Sequence, residues 1–246
     1  MIGRVVRSNG GLVVTPVLVV VIGFALYRYY QGAEKNFQDE RALRWDANLR
    51  PQLEQHVSLA LWSTILVIVL AVPLGVLLTR RSMKWLSAPI LAVATSGQAI
   101  PAFGLLVLAF ALMGKGAWTT VYALTLFSLL PVLRNTMVGL VQVSPSVVEA
   151  ARGMGMSRLQ VLRRIELPLA VPVILAGVRT ALVINVGMAA LAYLIGGGGL
   201  GITINAGLGL KRNLVLITGA GLTALVALTI DWIAALIERA LRPRGL

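Results

Sequence analysis

Few side chains of this 246-residue chain have the reactivity that catalysis requires. The sequence contains no cysteine and one histidine, His56, and its nine acidic residues form no cluster within apolar sequence. Without cysteine there is no disulfide, no thiolate metal ligand and no thiol nucleophile. A single histidine without acidic neighbours is a poor basis for a metal site. We therefore predict that the chain is not an enzyme and has neither catalytic residues nor a metal site.

The glycine run Gly196–Gly199 is the one segment whose composition is typical of a phosphate-binding loop. Such loops follow a strand and are followed by a lysine and a serine or threonine, and both features are missing here. We interpret the run as a flexible turn or gate, with Gly198 at its centre. No cofactor is expected to bind this chain.

Two ionisable residues, Arg179 and Asp231, lie deep in apolar sequence. A charge near the centre of a membrane span costs about 2.5–3.5 kcal/mol on insertion scales, so such groups usually pair or face water. Both residues fall at a similar depth in consecutive apolar segments. An intramembrane ion pair is one interpretation, and extension of each side chain towards the lipid headgroups is the other.

Neutral polar residues also interrupt apolar sequence, namely Gln98, Asn185 and Asn205. Such side chains either hydrogen-bond neighbouring helices or line a path for a polar solute. With Pro101, which interrupts an apolar segment, and Gly198, they are the candidates for a translocation path or gate.

The composition shows what kind of element must position these residues. Apolar residues make up 58% of the chain and charged residues 13%, so a soluble globule could not cover its surface. A soluble enzyme and a disordered chain are excluded. One span needs about 20 apolar residues, which leaves room for about six spans. The prediction is an all-α polytopic membrane protein that forms a single transmembrane domain over residues 1–246.

The apolar segments predict where the six spans lie. Span three is long and is interrupted at Pro101, which could instead mark a re-entrant break. Residues 30–56 form a polar loop before span two, and residues 142–168 form another before span five. The predicted spans are Leu12–Tyr29, Val57–Leu78, Leu86–Met113, Trp118–Val141, Val171–Ile195 and Leu214–Ile237.

The distribution of Lys and Arg predicts the orientation. With the N-terminus in the cytoplasm, inside segments hold 12 basic residues and outside segments hold 8. The bases of the long outer loop are matched by five acids, while the inner loops are nearly free of acid. Because basic residues concentrate in cytoplasmic loops, we predict that both termini are cytoplasmic, that the 30–56 loop is external and that the 142–168 loop is cytoplasmic.

The cytoplasmic 142–168 loop has the signals of two short helices. Ser144 followed by Pro145 is a typical helix start. Gly153 and Gly155 end that helix, and Ser157 can cap a second one that runs to about residue 164. Leu159, with its neighbours at every third position, gives the second helix an apolar side. The segment is expected to end at Leu167-Pro168, where span five begins.

This loop resembles the EAA loop of the permeases of binding-protein-dependent ABC importers. The matching positions, at the family's spacing, are Glu149, Ala150, Ala151, Gly155, Ile165, Leu167 and Pro168. In that family the loop is the coupling helix that fits a groove in the ATP-binding subunit. The resemblance implies that these residues, with Ser157 and Leu159, contact an ATPase.

Further motifs resemble those of the glycine betaine, carnitine and choline permeases, the osmoprotectant subgroup. They are Leu74–Leu77, Gln98-x-x-Pro101, Leu130–Thr136, Gly153–Ser157 and Leu194–Gly201. The resemblance implies a type I-like permease that pairs with a second copy or a paralogue in a prokaryotic inner membrane. It also implies two ATPase subunits and a separate extracytoplasmic binding protein. The net charge of +13 fits basic loops that meet anionic lipid, so no nucleic-acid partner is expected.

Three rival functions are kept. Within the family, the chain could serve an amino acid such as methionine, because several motifs are shared. A secondary transporter would need intramembrane charges for ion coupling, and the spans supply little beyond Asp231, Arg134 and Arg179. A membrane scaffold that transports nothing would have no use for the coupling loop.

Overall fold

Helices account for all regular secondary structure in the part of the chain that the structure describes. The structure is a computed structural model, which describes the backbone of residues 2–241 and the side chains of residues 12–241. The helices are α1 (Ile2–Gly32), α2 (Phe37–Ala42), α3 (Arg50–Thr79), α4 (Ser87–Ala99), α5 (Ala102–Met113), α6 (Ala117–Val141), α7 (Pro145–Gly153), α8 (Arg158–Val161), α9 (Leu167–Ala189), α10 (Gly201–Gly209) and α11 (Asn213–Ala240).

Five helical segments are long and apolar enough to cross a membrane, and a bent pair makes a sixth candidate. The five are Leu12–Gly32, Trp45–Thr79, Ala117–Val141, Arg158–Ala189 and Asn213–Ala240. The pair α4 and α5 bends by 100° at the break before α5, as a broken span or a re-entrant loop does. The predictions of an all-α membrane protein with about six spans, and of a break in span three, are therefore confirmed.

The break has a local cause at Pro101. Steric conflict with a proline ring disfavours helical geometry in the preceding residue. Ile100 accordingly has extended backbone angles, φ −70° and ψ 126°, and α5 starts directly after Pro101. The proline thus ends one helix and begins the next in a new direction.

Helices α3, α6 and α9 form the centre of the bundle. Val67, Val132, Leu133 and Ala181 are fully buried between them. Gly177 of α9 lies so close to α6 that a Cβ there would be 2.7 Å from Asn135 Cβ. Close approach at small residues is how helices associate where lipid removes the hydrophobic driving force between them. On the outside of this core, α1 packs along α11, where the Trp232 indole donates to the Leu12 carbonyl at 3.0 Å.

The structure adds detail to one predicted segment and corrects two predicted boundaries. The polar 30–56 segment is largely helical, because α2, a π-helical turn at Trp45–Leu49 and the first turns of α3 fill most of it. Span five ends at Ala189 rather than at Ile195, and a 3₁₀ turn at Ala192–Ile195 follows it.

The second wrong boundary is the expected end of the coupling segment at Leu167-Pro168. Helix α8 continues through a π-helical turn, Leu162–Glu166, directly into α9. The Leu167 amide bonds back to the Leu162 carbonyl, one residue further than in an α-helix. This widened turn changes the hydrogen-bond register directly before Pro168, which has no amide hydrogen to donate. The helix therefore passes through the proline without ending.

Candidate functional site

The predicted coupling loop folds as two helices joined by a tight turn. Ser144 and Pro145 start α7 as expected, but the Ser144 hydroxyl bonds Ser146 Oγ at 2.8 Å and caps no backbone amide. At the other end, the Gly155 amide donates to the Arg152 carbonyl at 2.9 Å and the Met156 amide to the Ala151 carbonyl at 3.2 Å. This pair of bonds is a Schellman motif, which needs a left-handed residue after the helix.

Gly155 supplies that left-handed residue. Its φ is +83°, whereas Gly153, two positions earlier, lies within α7. A residue with a β-carbon is strained at such an angle, and a β-branched one most of all. The predicted role of Gly155 as the turning point between two helices thus has a specific backbone basis.

The second helix starts with a reciprocal cap. The Gln160 amide donates to Ser157 Oγ at 3.3 Å, and the Ser157 amide donates to Gln160 Oε1 at 2.8 Å. Because α8 then runs unbroken into α9, the segment Arg158–Ala189 is one continuous helix. A displacement of the Ser157 turn would reach the membrane-spanning part of α9 without crossing a flexible loop.

The loop presents apolar side chains to its surroundings. Val147, Met154 and Leu159 are exposed, Leu159 by 53% and Met154 by 71%. The other coupling candidates are distributed between surface and interior. Glu149, Ala150, Ser157 and Pro168 are exposed, Ala151 is buried, and Ile165 and Leu167 are partly buried.

Glu166 anchors this loop to the end of α3, and the sequence analysis did not single it out. Its carboxylate lies 2.8 Å from the Arg80 guanidinium, and the residue is buried. Glu166 is the only acid between Glu149 and Asp231, which is the signal that could have identified it. The ion pair holds the N-terminal end of α9 against the C-terminal end of α3.

Arg179 of α9 and Asp231 of α11 lie together. The guanidinium donates twice to the carboxylate, through Nε to Oδ1 at 2.6 Å and through Nη2 to Oδ2 at 2.7 Å. Glu238, about two turns after Asp231 on α11, lies 3.8 Å from Arg179. The three residues line a cavity of about 520 Å³ between the two helices. The geometry is that of an ion pair between helices.

Removing both partners of this pair should destabilise the protein by less than the sum of the two single removals. Arg179→Ala and Asp231→Ala should each lower the yield of folded protein, because each leaves the other charge without its doubly hydrogen-bonded partner in apolar surroundings. The double variant should lose less than the sum, by about 0.5–3 kcal/mol of coupling. Thermal unfolding in detergent measures it, with Thr180→Ala in the same cavity as control. Strictly additive losses would instead assign the two charges to separate contacts with the headgroups.

The five candidates for a translocation path lie in three separate parts of the structure. Gln98 and Pro101 are exposed at the bend between α4 and α5. Asn185 is fully buried and donates to Thr64 Oγ1 of α3 at 3.0 Å, which is a contact between helices. Gly198 and Asn205 belong to the segment after α9, where Asn205 is exposed on α10. The structure therefore does not join these residues into one site.

A polar face of α3 holds the segment after α9, and the sequence analysis missed it. Gln52 Oε1 accepts from the Thr203 hydroxyl at 2.6 Å, and Gln55 Oε1 accepts from the Gly199 amide at 3.2 Å. The ring Nε2 of His56 bonds the Val186 carbonyl at 2.9 Å. Gln52, Gln55 and His56 share a helix face by their spacing of three and four, a signal that the sequence did contain.

A third ion pair lies at the same end of the bundle as these hydrogen bonds. Arg212, which precedes α11, binds the buried carboxylate of Asp39 in α2, with Nε at 2.9 Å from Oδ1. The hydrogen bond from Arg212 holds the pKa of Asp39 below its usual range, and the pair in turn raises the pKa of Arg212. The pair therefore stabilises the fold at neutral pH, and this contribution is lost as the pH falls through the lowered pKa of Asp39.

An all-helical bundle with about six candidate spans, one of which continues from a surface loop, defines the class of polytopic membrane proteins. The sequence profile described as "Binding-protein-dependent transport system inner membrane component" matches residues 71–243. The chain belongs to this family, and it is a permease subunit of a binding-protein-dependent transport system.

Relatives place the chain near the osmoprotectant permeases, so the predicted resemblance is confirmed. It is 42% identical over 197 residues to the osmoprotectant import permease protein OsmW of Salmonella typhimurium, covering 78% of this chain and 91% of that one. It is 40% identical over 192 residues to the choline transport system permease protein OpuBB of Bacillus subtilis, covering 78% and 88%. The fold is similar to a chain of the inward-facing MetNI methionine ABC transporter, with a TM-score of 0.69, 23% identity and coverage of 79% and 96%.

Proposed function

We propose that this chain is the permease subunit of an ATP-driven importer for osmoprotectants such as glycine betaine, choline or carnitine. The single observation that carries the solute class is the identity of about 40% to permeases named for osmoprotectant and choline transport, over most of both chains. The similarity to the methionine transporter is lower in identity and concerns the fold alone. Methionine is therefore the control solute.

In the proposed mechanism, ATP is hydrolysed by partner subunits, and this chain makes and breaks no covalent bond. Two ATPase subunits bind ATP, and a separate binding protein delivers the solute from outside. Two permease chains, identical or paralogous, enclose the path. Exposed apolar side chains around Val147, Met154 and Leu159 dock on the ATPase, and the continuous helix Arg158–Ala189 carries the movement of the docked loop into the bundle. The permease itself needs no cofactor.

Reconstitution tests this function. Proteoliposomes with the permease, its ATPase and its binding protein should accumulate a quaternary-ammonium osmoprotectant only when ATP is inside. Collapsing the proton and sodium gradients with ionophores should leave uptake intact, because the energy comes from ATP. Uptake that follows an ion gradient without ATP would make the chain a secondary transporter. Uptake of methionine in preference to choline, betaine or carnitine would assign it to amino acids.

The proposed topology puts both termini and the coupling loop in the cytoplasm, with α2 outside. The chain contains no cysteine, so single cysteines introduced at Gln38 and Ser157 report on one side each. Both side chains are exposed in the structure. In intact cells an impermeant thiol reagent should label the Gln38→Cys variant and spare Ser157→Cys, which should react only after permeabilisation. Labelling of both positions in intact cells would contradict the topology.

A further inference from the structure

A groove with four arginines lies between the coupling loop and the ends of two spans, and the proposed transport mechanism uses none of them. Its volume is about 970 Å³. Arg80 and Arg81 follow α3, Arg152 lies in the last turn of α7, and Arg158 begins α8. The groove therefore joins the coupling loop to the membrane-spanning core.

The charge of the groove is strongly unbalanced. The one acid in its lining is Glu166, whose carboxylate is already paired with Arg80. Arg81, Arg152 and Arg158 are exposed, and no ion pair among residues 12–241 involves them. Three guanidinium groups thus face one groove without an acidic partner, and their mutual repulsion favours an anionic ligand.

The depth of the groove in the membrane points to the source of that anion. Its walls include Thr79, the last residue of α3, and Val141, the last residue of α6, so the groove begins where two spans end. Lipid headgroups lie at this level. Trp85, 74% exposed a few residues further on, is the type of side chain that marks this level.

The lining also has an apolar part. Leu140 and Leu162 line the same groove as the arginines. Arginine binds phosphate oxygens through two parallel hydrogen bonds. A phosphate with attached glycerol and acyl chains meets both parts of the lining, whereas inorganic phosphate meets only the arginines.

We propose that the groove binds the headgroup of an anionic phospholipid through Arg81, Arg152 and Arg158. The bound headgroup bridges the end of α3 and both helices of the coupling loop. It thereby holds the loop in position for docking. The lipid site itself is independent of the proposed function, while its effect on transport depends on that function.

Lipid binding is tested on the purified permease alone. In native mass spectrometry, the wild type should retain phosphatidylglycerol over phosphatidylcholine. Arg81→Gln combined with Arg158→Gln should weaken phosphatidylglycerol retention at least tenfold. The matched control is Arg163→Gln with Arg164→Gln, which removes the same charge from exposed positions outside the groove. The control should retain lipid like the wild type, and size-exclusion chromatography should show both double variants folded.

Two results would overturn the lipid assignment. Equal losses in the groove variant and the control would show that only net charge attracts the lipid. Displacement of phosphatidylglycerol by equimolar inorganic phosphate would show that the site takes free phosphate. Retention of phosphatidylglycerol in the presence of equimolar inorganic phosphate or glycerol 3-phosphate is the expected result, because neither competitor has the acyl chains that contact the apolar wall.

The effect on transport is measured separately. Uptake should be higher in vesicles that contain phosphatidylglycerol than in pure phosphatidylcholine, and the groove variant should lose this difference while the control keeps it. If the groove variant binds lipid normally but no longer binds the ATPase, the arginines meet an acidic surface of that partner and the proposal is wrong. Failure of all uptake with normal lipid selectivity would contradict the proposed function and leave the lipid site standing.

Discussion

Replacement of Gly155 by valine is expected to abolish solute uptake while the permease still folds and inserts. Gly155 has a φ of +83° in the turn between α7 and α8. The strain energy at such an angle is on the order of 1–3 kcal/mol, and it is largest for a β-branched residue. The turn should open and displace Leu159 from its docking position. A loss of that size weakens a transient contact with the ATPase about tenfold or more.

Gly153 offers a matched control for this prediction. A Cβ built at either glycine meets nothing within 4 Å, so neither site is limited by space. The two positions differ in backbone angle, because Gly153 lies in the last turn of α7. Gly153→Val should therefore keep most of the uptake. The uptake of Gly155→Asn should lie between those of Gly155→Val and Gly153→Val, because asparagine tolerates the left-handed region better than other residues with a side chain.

The measurements are uptake and solute-stimulated ATP hydrolysis in proteoliposomes, with pull-down of the ATPase. Gly155→Val should lose all three, and its folded yield should stay close to that of the wild type. Normal uptake by a Gly155→Val protein that still binds the ATPase would show that the 142–168 loop is not the coupling element. Equal losses at both glycines would show that the helix itself, rather than the turn, is what the partner requires.

Local sequence signals correctly predicted the features that depend on one residue and its immediate neighbours. Gly155 and Ser157 predicted a helix stop and a helix start, and the structure has a left-handed turn and a reciprocal cap there. Pro101 predicted a break, and the chain bends by 100° at that point. Each of these features depends on the conformational limits of one residue and its immediate neighbours.

Features that depend on distant partners could not be predicted in the same way. Pro168 is a helix breaker by type, yet the π-helical turn before it lets the helix continue. The segment 30–56 is polar by composition, yet it is fixed by Asp39, whose partner Arg212 lies 173 residues away. Asn185 lies in apolar sequence, which fits both a contact between helices and a place on a translocation path. Only the packed bundle shows that Thr64 is its partner. Periodicity contains no information on such pairings.

Replacement of Gly201 by alanine is expected to destabilise the permease severely. Gly201 opens α10, and a Cβ there would lie 1.9 Å from the Ala190 carbonyl oxygen and 2.8 Å from a ring carbon of Tyr193. The first of these contacts is with backbone, so no side-chain rotation relieves it. The segment between α9 and α10 would have to move, although Gln52 and Gln55 of α3 hold it. Overpacking that forces side chains off their rotamers and shifts the backbone costs about 1–3 kcal/mol and occasionally more.

Gly209, the last residue of α10, provides the control because a Cβ there meets nothing within 4 Å. Gly209→Ala should fold like the wild type, while Gly201→Ala should give at least tenfold less monodisperse protein and a lower thermal transition in detergent. Any Gly201→Ala protein that does fold should have lost uptake, because the segment after α9 can adapt only by leaving its contacts with α3. Equal yields for the two variants would mean that this segment is loosely packed. Its hydrogen bonds to Gln52 and Gln55 would then contribute little to the fold.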